Sequence, residues 1–127
     1  GTRDPATGKL VGSAALLRSG YVPPRMLGQS TVVGVVATNV SLSKVECNRL
    51  ARVAHHGLAQ AVSPSHTTLD GDTFFALSLG QVEGVYDVVA AAVPSVVAEA
   101  IRRAVRAARG LHGIPGLADG PEGLHPA

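Results

Sequence analysis

Thr31-Val-Val-Gly-Val-Val-Ala-Thr38 decides the reading of this chain: it is β-branched and almost wholly apolar, the pattern of a strand buried on both faces. Downstream, Ser43 and Glu46 have capping-box spacing, and Leu50, Val53, Ala54, Gly57, Leu58 and Ala61 recur at helical intervals. Arg49, Arg52, His56 and Gln60 fall largely on the other side, so 43–62 is predicted to be an amphipathic helix, ended by Ser63-Pro64. The turn-forming Asp70-Gly71-Asp72 then leads into Thr73-Phe-Phe-Ala-Leu-Ser-Leu79, a second strand bounded by Gly80 and expected to pair with the first. Residues 82–92 are predicted helical. Pro94 either kinks that helix or opens a new one running to Arg109, with Gly110 at its C-cap.

The flanks are less regular. Residues 1–28 hold Gly, Pro and Ser among short apolar runs and read as turns and loop, and 111–127 is a Gly- and Pro-rich stretch without periodicity, expected to be a flexible tail. Gly1-Thr-Arg-Asp-Pro5 is turn-like and lacks an initiating Met, which suggests further residues upstream. Arg102, Arg103, Arg106 and Arg109 gather near the end of the last helix, where positive charge complements the helix dipole, and they read as a solvated helix end.

Composition narrows the class. The 127 residues are 46% hydrophobic but only 3% aromatic with no Trp, so the core is built from Val, Ala and Leu, as where helices pack on sheets in α/β and α+β domains. A net charge of +2 with both signs mixed, and few aromatics, argue against nucleic acid as a partner. The single cysteine, Cys47, cannot form an internal disulfide. With no apolar stretch of membrane-spanning length and no leader-like amino terminus, the expectation is a soluble, cytoplasmic protein that does not engage a membrane.

Two places could carry chemistry. Ser30-Thr31 lies at the mouth of the first strand, and a Thr hydroxyl becomes a competent nucleophile when the residue is itself a chain terminus whose α-amine, titrating near ~7.7–8.0, serves as base. Read alone, Thr31 equally suits an ordinary strand start. Asp70 and Asp72 stand two apart, so an extended segment would turn both carboxylates to one side, where one keeps a proton or holds a cationic amine. An ordinary Asp-Gly turn explains them as well. A calcium loop does not, because Phe74 and Phe75 occupy positions that need oxygen ligands. Adjacent His55 and His56 diverge by about 100° on a helix and cannot share a metal, so neither metal nor cofactor is expected. His66 could hydrogen-bond the Asp-Gly-Asp turn as a loop anchor.

Taken in order, Thr31-Val-Val-Gly-Val-Val-Ala-Thr-Asn39, Leu42-Ser-Lys44, Arg49-Leu-Ala51, Ala54-His-His-Gly-Leu-Ala-Gln-Ala61 and His66-Thr-Thr-Leu-Asp-Gly-Asp-Thr-Phe-Phe-Ala-Leu77 resemble the DmpA-type aminopeptidases and D-esterases. That family includes the β-peptidyl aminopeptidases and the nylon-oligomer hydrolase. The resemblance implies an α+β fold, an αββα sandwich, in which a precursor cuts itself into a larger α and a smaller β segment whose first residue is the nucleophile. Residues 1–30 would then close the α segment, 31–110 would form the body of the β segment, and 111–127 its tail. The resemblance makes Thr31 the nucleophile released by cleavage of the Ser30–Thr31 bond, with Asp70 and Asp72 orienting and tuning it. It places the family's catalytic Asn and Lys upstream of this chain, and Thr2–Gly8 resembles the family's Gly-Asp-x-x-Asp-Pro-x-Thr-Gly loop.

The implied partners are the upstream α segment, further αβ units in a homo-oligomer, and a small peptide, amide or ester substrate. Departures bear on the nucleophile: Ser30 precedes the bond where Asn or Gly is frequent, and Val32 replaces a frequent second Thr. Some members use serine, so Ser30, with cleavage after Gln29, is the alternative; counting back from Val35-Val36-Ala37-Thr38 favours Thr31. Two other readings keep the fold. One is an acyltransferase like the ornithine acetyltransferases, whose Ala-Thr-Met-Leu motif is absent here. The other is a non-catalytic fragment or assembly partner.

Overall fold

A computed structural model describes Asp4, Thr7, Lys9, residues 11–21 and residues 31–120. Within these, the chain runs α1 (Ser13–Arg18), β1 (Val33–Val40), α2 (Lys44–Ala61), β2 (Thr73–Val82) and α3 (Tyr86–Ala107), with a 3-10 turn at Leu117–Asp119. Helix and strand are mixed, as an α+β domain requires. The short α1 arises where the turn-rich composition predicts only loop.

β1 and β2 pair in parallel, Val33 opposite Thr73 through Thr38 opposite Ser78. Parallel neighbours need a long crossover, which α2 supplies. α2 begins where the sequence places it: Glu46 N–H donates to Ser43 Oγ at 3.3 Å, and Ser43 N–H donates to Glu46 Oε2 at 2.8 Å. It buries Leu50, Ala54, Gly57 and Leu58. Leu50, Ala54 and Leu58 join Phe74 of β2 and Val93 and Val97 of α3 in one core.

All of this core lies on one side of the sheet. Exposure alternates along β1, and the opposite face presents Val33 at 67%, Val35 at 62%, Phe75 at 57% and Leu79 at 58% exposure. The expectation of a strand buried on both faces therefore fails for this chain alone, because α2 and α3 cover only one face. Gly34 lies on the covered face, where a Cβ would fall on the Phe74 ring.

β2 is longer than expected. It continues through Gly80, whose φ of +64° suits glycine, and after a register shift it pairs Val82 with Val40. Ser78 Oγ ties this end together, donating to Val40 O at 2.6 Å and accepting from Leu42 N–H at 3.0 Å. Because β2 occupies residues up to Val82, α3 starts at Tyr86. It then runs through Pro94 as one element rather than two, and its C-cap is Ala108 rather than Gly110.

The chain beyond folds back on the helix end. Ala118 N–H donates to Ala108 O at 2.9 Å, and Asp119 Oδ2 accepts from Gly110 N–H at 2.5 Å and Gly116 N–H at 3.2 Å. Residues 111–120, where the sequence has no periodic pattern, are thus tied to the end of α3; 121–127 lie outside the described residues. In the basic cluster, Arg102 donates to Gln60 O at 3.1 Å and Arg103 pairs with Glu99 at 2.9 Å, while Arg106 and Arg109 are exposed. Among the described residues no helix is long and apolar enough to cross a membrane.

The α2–α3 contact closes on Gly57. A Cβ there would stand 2.5 Å from Pro94 O and 2.6 Å from Val97 Cβ. In an open helix Gly→Ala gains about 1 kcal/mol. Here overpacking reverses the sign, and Gly57→Ala is expected to destabilise by roughly 1–3 kcal/mol in a denaturant titration.

Candidate active site

The parallel register brings the entry ends of both strands together, so Thr31-Val32 lies against Gly71-Asp72. Val32 is held on both of its backbone groups: its carbonyl accepts from Thr73 N–H at 2.8 Å, and its N–H donates to Asp72 Oδ1 at 3.0 Å. Thr31, the residue before this clamp, is exposed. Its Oγ1 faces Gly71 so closely that a Cβ on Gly71 would lie 2.8 Å from it. Glycine at position 71 thus makes room for the hydroxyl.

The two carboxylates hold different things. Asp70 Oδ2 accepts from Thr67 N–H at 2.7 Å, while Asp70 N–H donates to Thr67 O at 3.1 Å, which closes the turn before β2. Asp72 reaches across to β1. Its side chain is only 7% exposed, and its second oxygen stands 3.3 Å from His66 Nδ1. Asp72 is therefore joined to the backbone beside Thr31, while Asp70 shapes the loop that presents Gly71 and Asp72. Ser30, on the other side of the proposed cleavage point, lies outside the described residues.

His66 sits at φ +56°, a left-handed conformation uncommon for a residue with a side chain. Its ring lies 4.8 Å from that of His55 on α2, which in turn meets Phe74 edge-on at 4.9 Å. Periodicity assigns His55 no place in the site; the available signal is its position next to buried Ala54, at the border of the apolar stripe. Burial, then the neighbouring His66, lowers the His55 pKa below its ordinary value, with Asp72 pulling it up and His56 down. The folded state therefore binds a proton at His55 less readily than the unfolded chain does. Stability is unaffected above the unfolded value of about 6.5 and falls as pH drops below it. Thermal melts between pH 7 and pH 5 are expected to show this decline, reduced in His55→Phe.

Among the described residues no group of three or more His, Cys, Asp or Glu side chains is placed to hold a metal ion. The arrangement offers an exposed hydroxyl, a backbone clamp beside it, and a carboxylate with a largely covered side chain that makes one of the clamp's hydrogen bonds.

The sequence pattern of Peptidase family S58 matches residues 4–118, which contain every one of these groups. The chain belongs to this family. S58 is the DmpA family, so the resemblance carried by Thr31–Leu77 is confirmed. Similar proteins include an uncharacterised aminopeptidase of Mycobacterium leprae, 42% identical over 101 residues, 68% of this chain and 28% of that protein. An uncharacterised aminopeptidase of Mycobacterium tuberculosis is 51% identical over 53 residues, 42% of this chain and 15% of that protein. A 6-aminohexanoate-oligomer endohydrolase of Paenarthrobacter ureafaciens is 36% identical over 62 residues, 49% of this chain and 18% of that protein. The chain thus spans between 15% and 28% of the length of these relatives.

Proposed function

We propose that this chain is the carboxyl-terminal part of a self-cleaving S58 hydrolase of the aminopeptidase or amidohydrolase type, with Thr31 as nucleophile. The observation that carries the reading is the clamp at the head of β1. Asp72 grips Val32 N–H, while Gly71 leaves space beside Thr31 Oγ1. A strand that merely begins with threonine requires neither feature.

In the first stage, Thr31 Oγ1 attacks the Ser30 carbonyl carbon. The C–N bond breaks, the hydroxyl proton passes to the departing amine, and an ester joins Ser30 to Thr31. Water hydrolyses that ester, leaving a Ser30 carboxylate and a Thr31 with free amine and hydroxyl. In the second stage the free amine takes the hydroxyl proton as Oγ1 attacks a substrate amide or ester, and returns it to the leaving group. Water then releases the acyl group from Oγ1. General-base assistance of this kind supplies about 10²–10⁴ in rate.

The exposed apolar row Val33, Val35, Phe75, Leu77 and Leu79 supports the rest of the proposal. An uncovered sheet face of this character suits a second sheet from an upstream α segment, giving an αββα sandwich, with αβ units assembling further into a homo-oligomer. The names of the relatives point to small peptides or amide oligomers as substrates. The test is release of p-nitroaniline from an aminoacyl p-nitroanilide, by this chain alone and joined to its upstream portion. Turnover only in the joined form is expected. Acetyl transfer from acetylornithine to glutamate without hydrolysis would assign an acyltransferase, and inactivity of both forms would assign a non-catalytic partner.

A further inference from the structure

We infer that His66 is a positioning residue for Thr31, acting through Asp72; the inference rests on the reading of Thr31 as nucleophile. The connection is short. His66 Nδ1 stands 3.3 Å from Asp72 Oδ2, Asp72 Oδ1 accepts from Val32 N–H at 3.0 Å, and Val32 directly follows Thr31.

The Asp72 side chain is 7% exposed, so water does little to hold its carboxylate in one orientation; protein groups must do so. Val32 N–H engages one oxygen. His66 Nδ1 stands 3.3 Å from the other. Without it the carboxylate is free to turn about its side-chain torsions, and the grip on Val32 loosens with it. His66 adopts φ +56° while its ring packs against His55, itself wedged between that ring and Phe74. A side-chain-bearing residue held in this conformation against the carboxylate that grips Val32 N–H fits the pattern in which local strain gathers at functional sites.

Two substitutions separate the side chain from the backbone. Glycine suits φ +56° but offers no donor, whereas asparagine tolerates that conformation and places an N–H₂ near the position of Nδ1. The protein joined to its upstream portion is assayed for release of the fragment beginning at Thr31 and for kcat and KM on an aminoacyl p-nitroanilide. His66→Gly is expected to lower kcat roughly 10- to 100-fold, as loss of a partner that orients a reacting group does, with KM little changed. His66→Asn is expected to recover most of that loss. In an Asp72→Ala background, His66→Gly is expected to cost nothing further.

Parent-like activity in both single variants would reduce His66 to a backbone role and overturn the inference. Equal impairment of both, an effect confined to KM, or additive losses in the Asp72→Ala background would overturn it too. Thr31→Ala, run in parallel, separates the two claims. If Thr31→Ala is inactive while His66→Gly is parent-like, only the role of His66 fails. If Thr31→Ala is cleaved and turns over substrate, the nucleophile reading fails and takes this inference with it.

Discussion

Thr31→Ala, in the protein joined to its upstream portion, is expected to remain a single uncut chain and to lose amide hydrolysis by roughly 10⁴-fold or more, as when a catalytic hydroxyl is removed. Both effects have one cause. The same Oγ1 is needed to attack the Ser30 carbonyl and then the substrate, so no intermediate phenotype is available. Thr31 is exposed, and an exposed substitution shifts stability by no more than about 0.5 kcal/mol, so the melting temperature should barely change. Thr31→Ser keeps the hydroxyl and is expected to cleave and turn over. Parent-like turnover in Thr31→Ala would move the nucleophile elsewhere, with Ser30 the first alternative.

Gly71→Ala is expected to cost activity heavily and stability hardly at all. The added Cβ would lie 2.8 Å from Thr31 Oγ1, too close for either to stay. The Thr31 side chain is exposed and free to rotate to another rotamer, so the clash is relieved cheaply. That relief is what removes the hydroxyl from its place. A displacement of about 1 Å at a reacting group costs on the order of 10²-fold in rate. Replacing a glycine whose backbone conformation alanine accepts also restricts the unfolded chain, worth about 0.4–1 kcal/mol in favour of folding. The measurement is kcat alongside a thermal melt. Parent-like kcat would mean that the Gly71–Thr31 contact is not part of the working site.

Much of the fold was legible in the residues. The β-branched run after Thr31, the Ser43/Glu46 capping box and the stripe from Leu50 to Leu58 each depend on local spacing, and β1 and α2 follow them closely. Features that depend on distant contacts were not. β2 outruns Gly80 because pairing between Val40 and Val82 holds the strand past the glycine. α3 runs through Pro94 as one helix, a choice that local rules leave open beside a new helix start. Residues 111–120 have no periodicity because they are fixed by Asp119 and the end of α3 rather than by a repeating pattern.

The candidate site divides in the same way. Thr31 and the Asp-Gly-Asp turn were recognisable as motifs, but spacing alone grouped Asp70 with Asp72. The fold assigns them different partners, Thr67 for one and Val32 with His66 for the other. The parallel register decides this, by laying the residue after Thr31 beside Asp72. The role of Gly71 was equally hidden, since a turn glycine and a glycine that makes room for a hydroxyl look alike in sequence. His55 entered only through its contacts with His66 and Phe74, which no helical pattern encodes.

Intact-mass spectrometry of the purified protein, expressed together with its upstream portion, reads self-cleavage at Thr31 itself. Two fragments, the smaller beginning at Thr31, are expected from the unaltered protein and one uncut chain from Thr31→Ala. An uncut chain from both, or a fragment beginning at Ser30, would rule out Thr31 as the self-cleaving nucleophile.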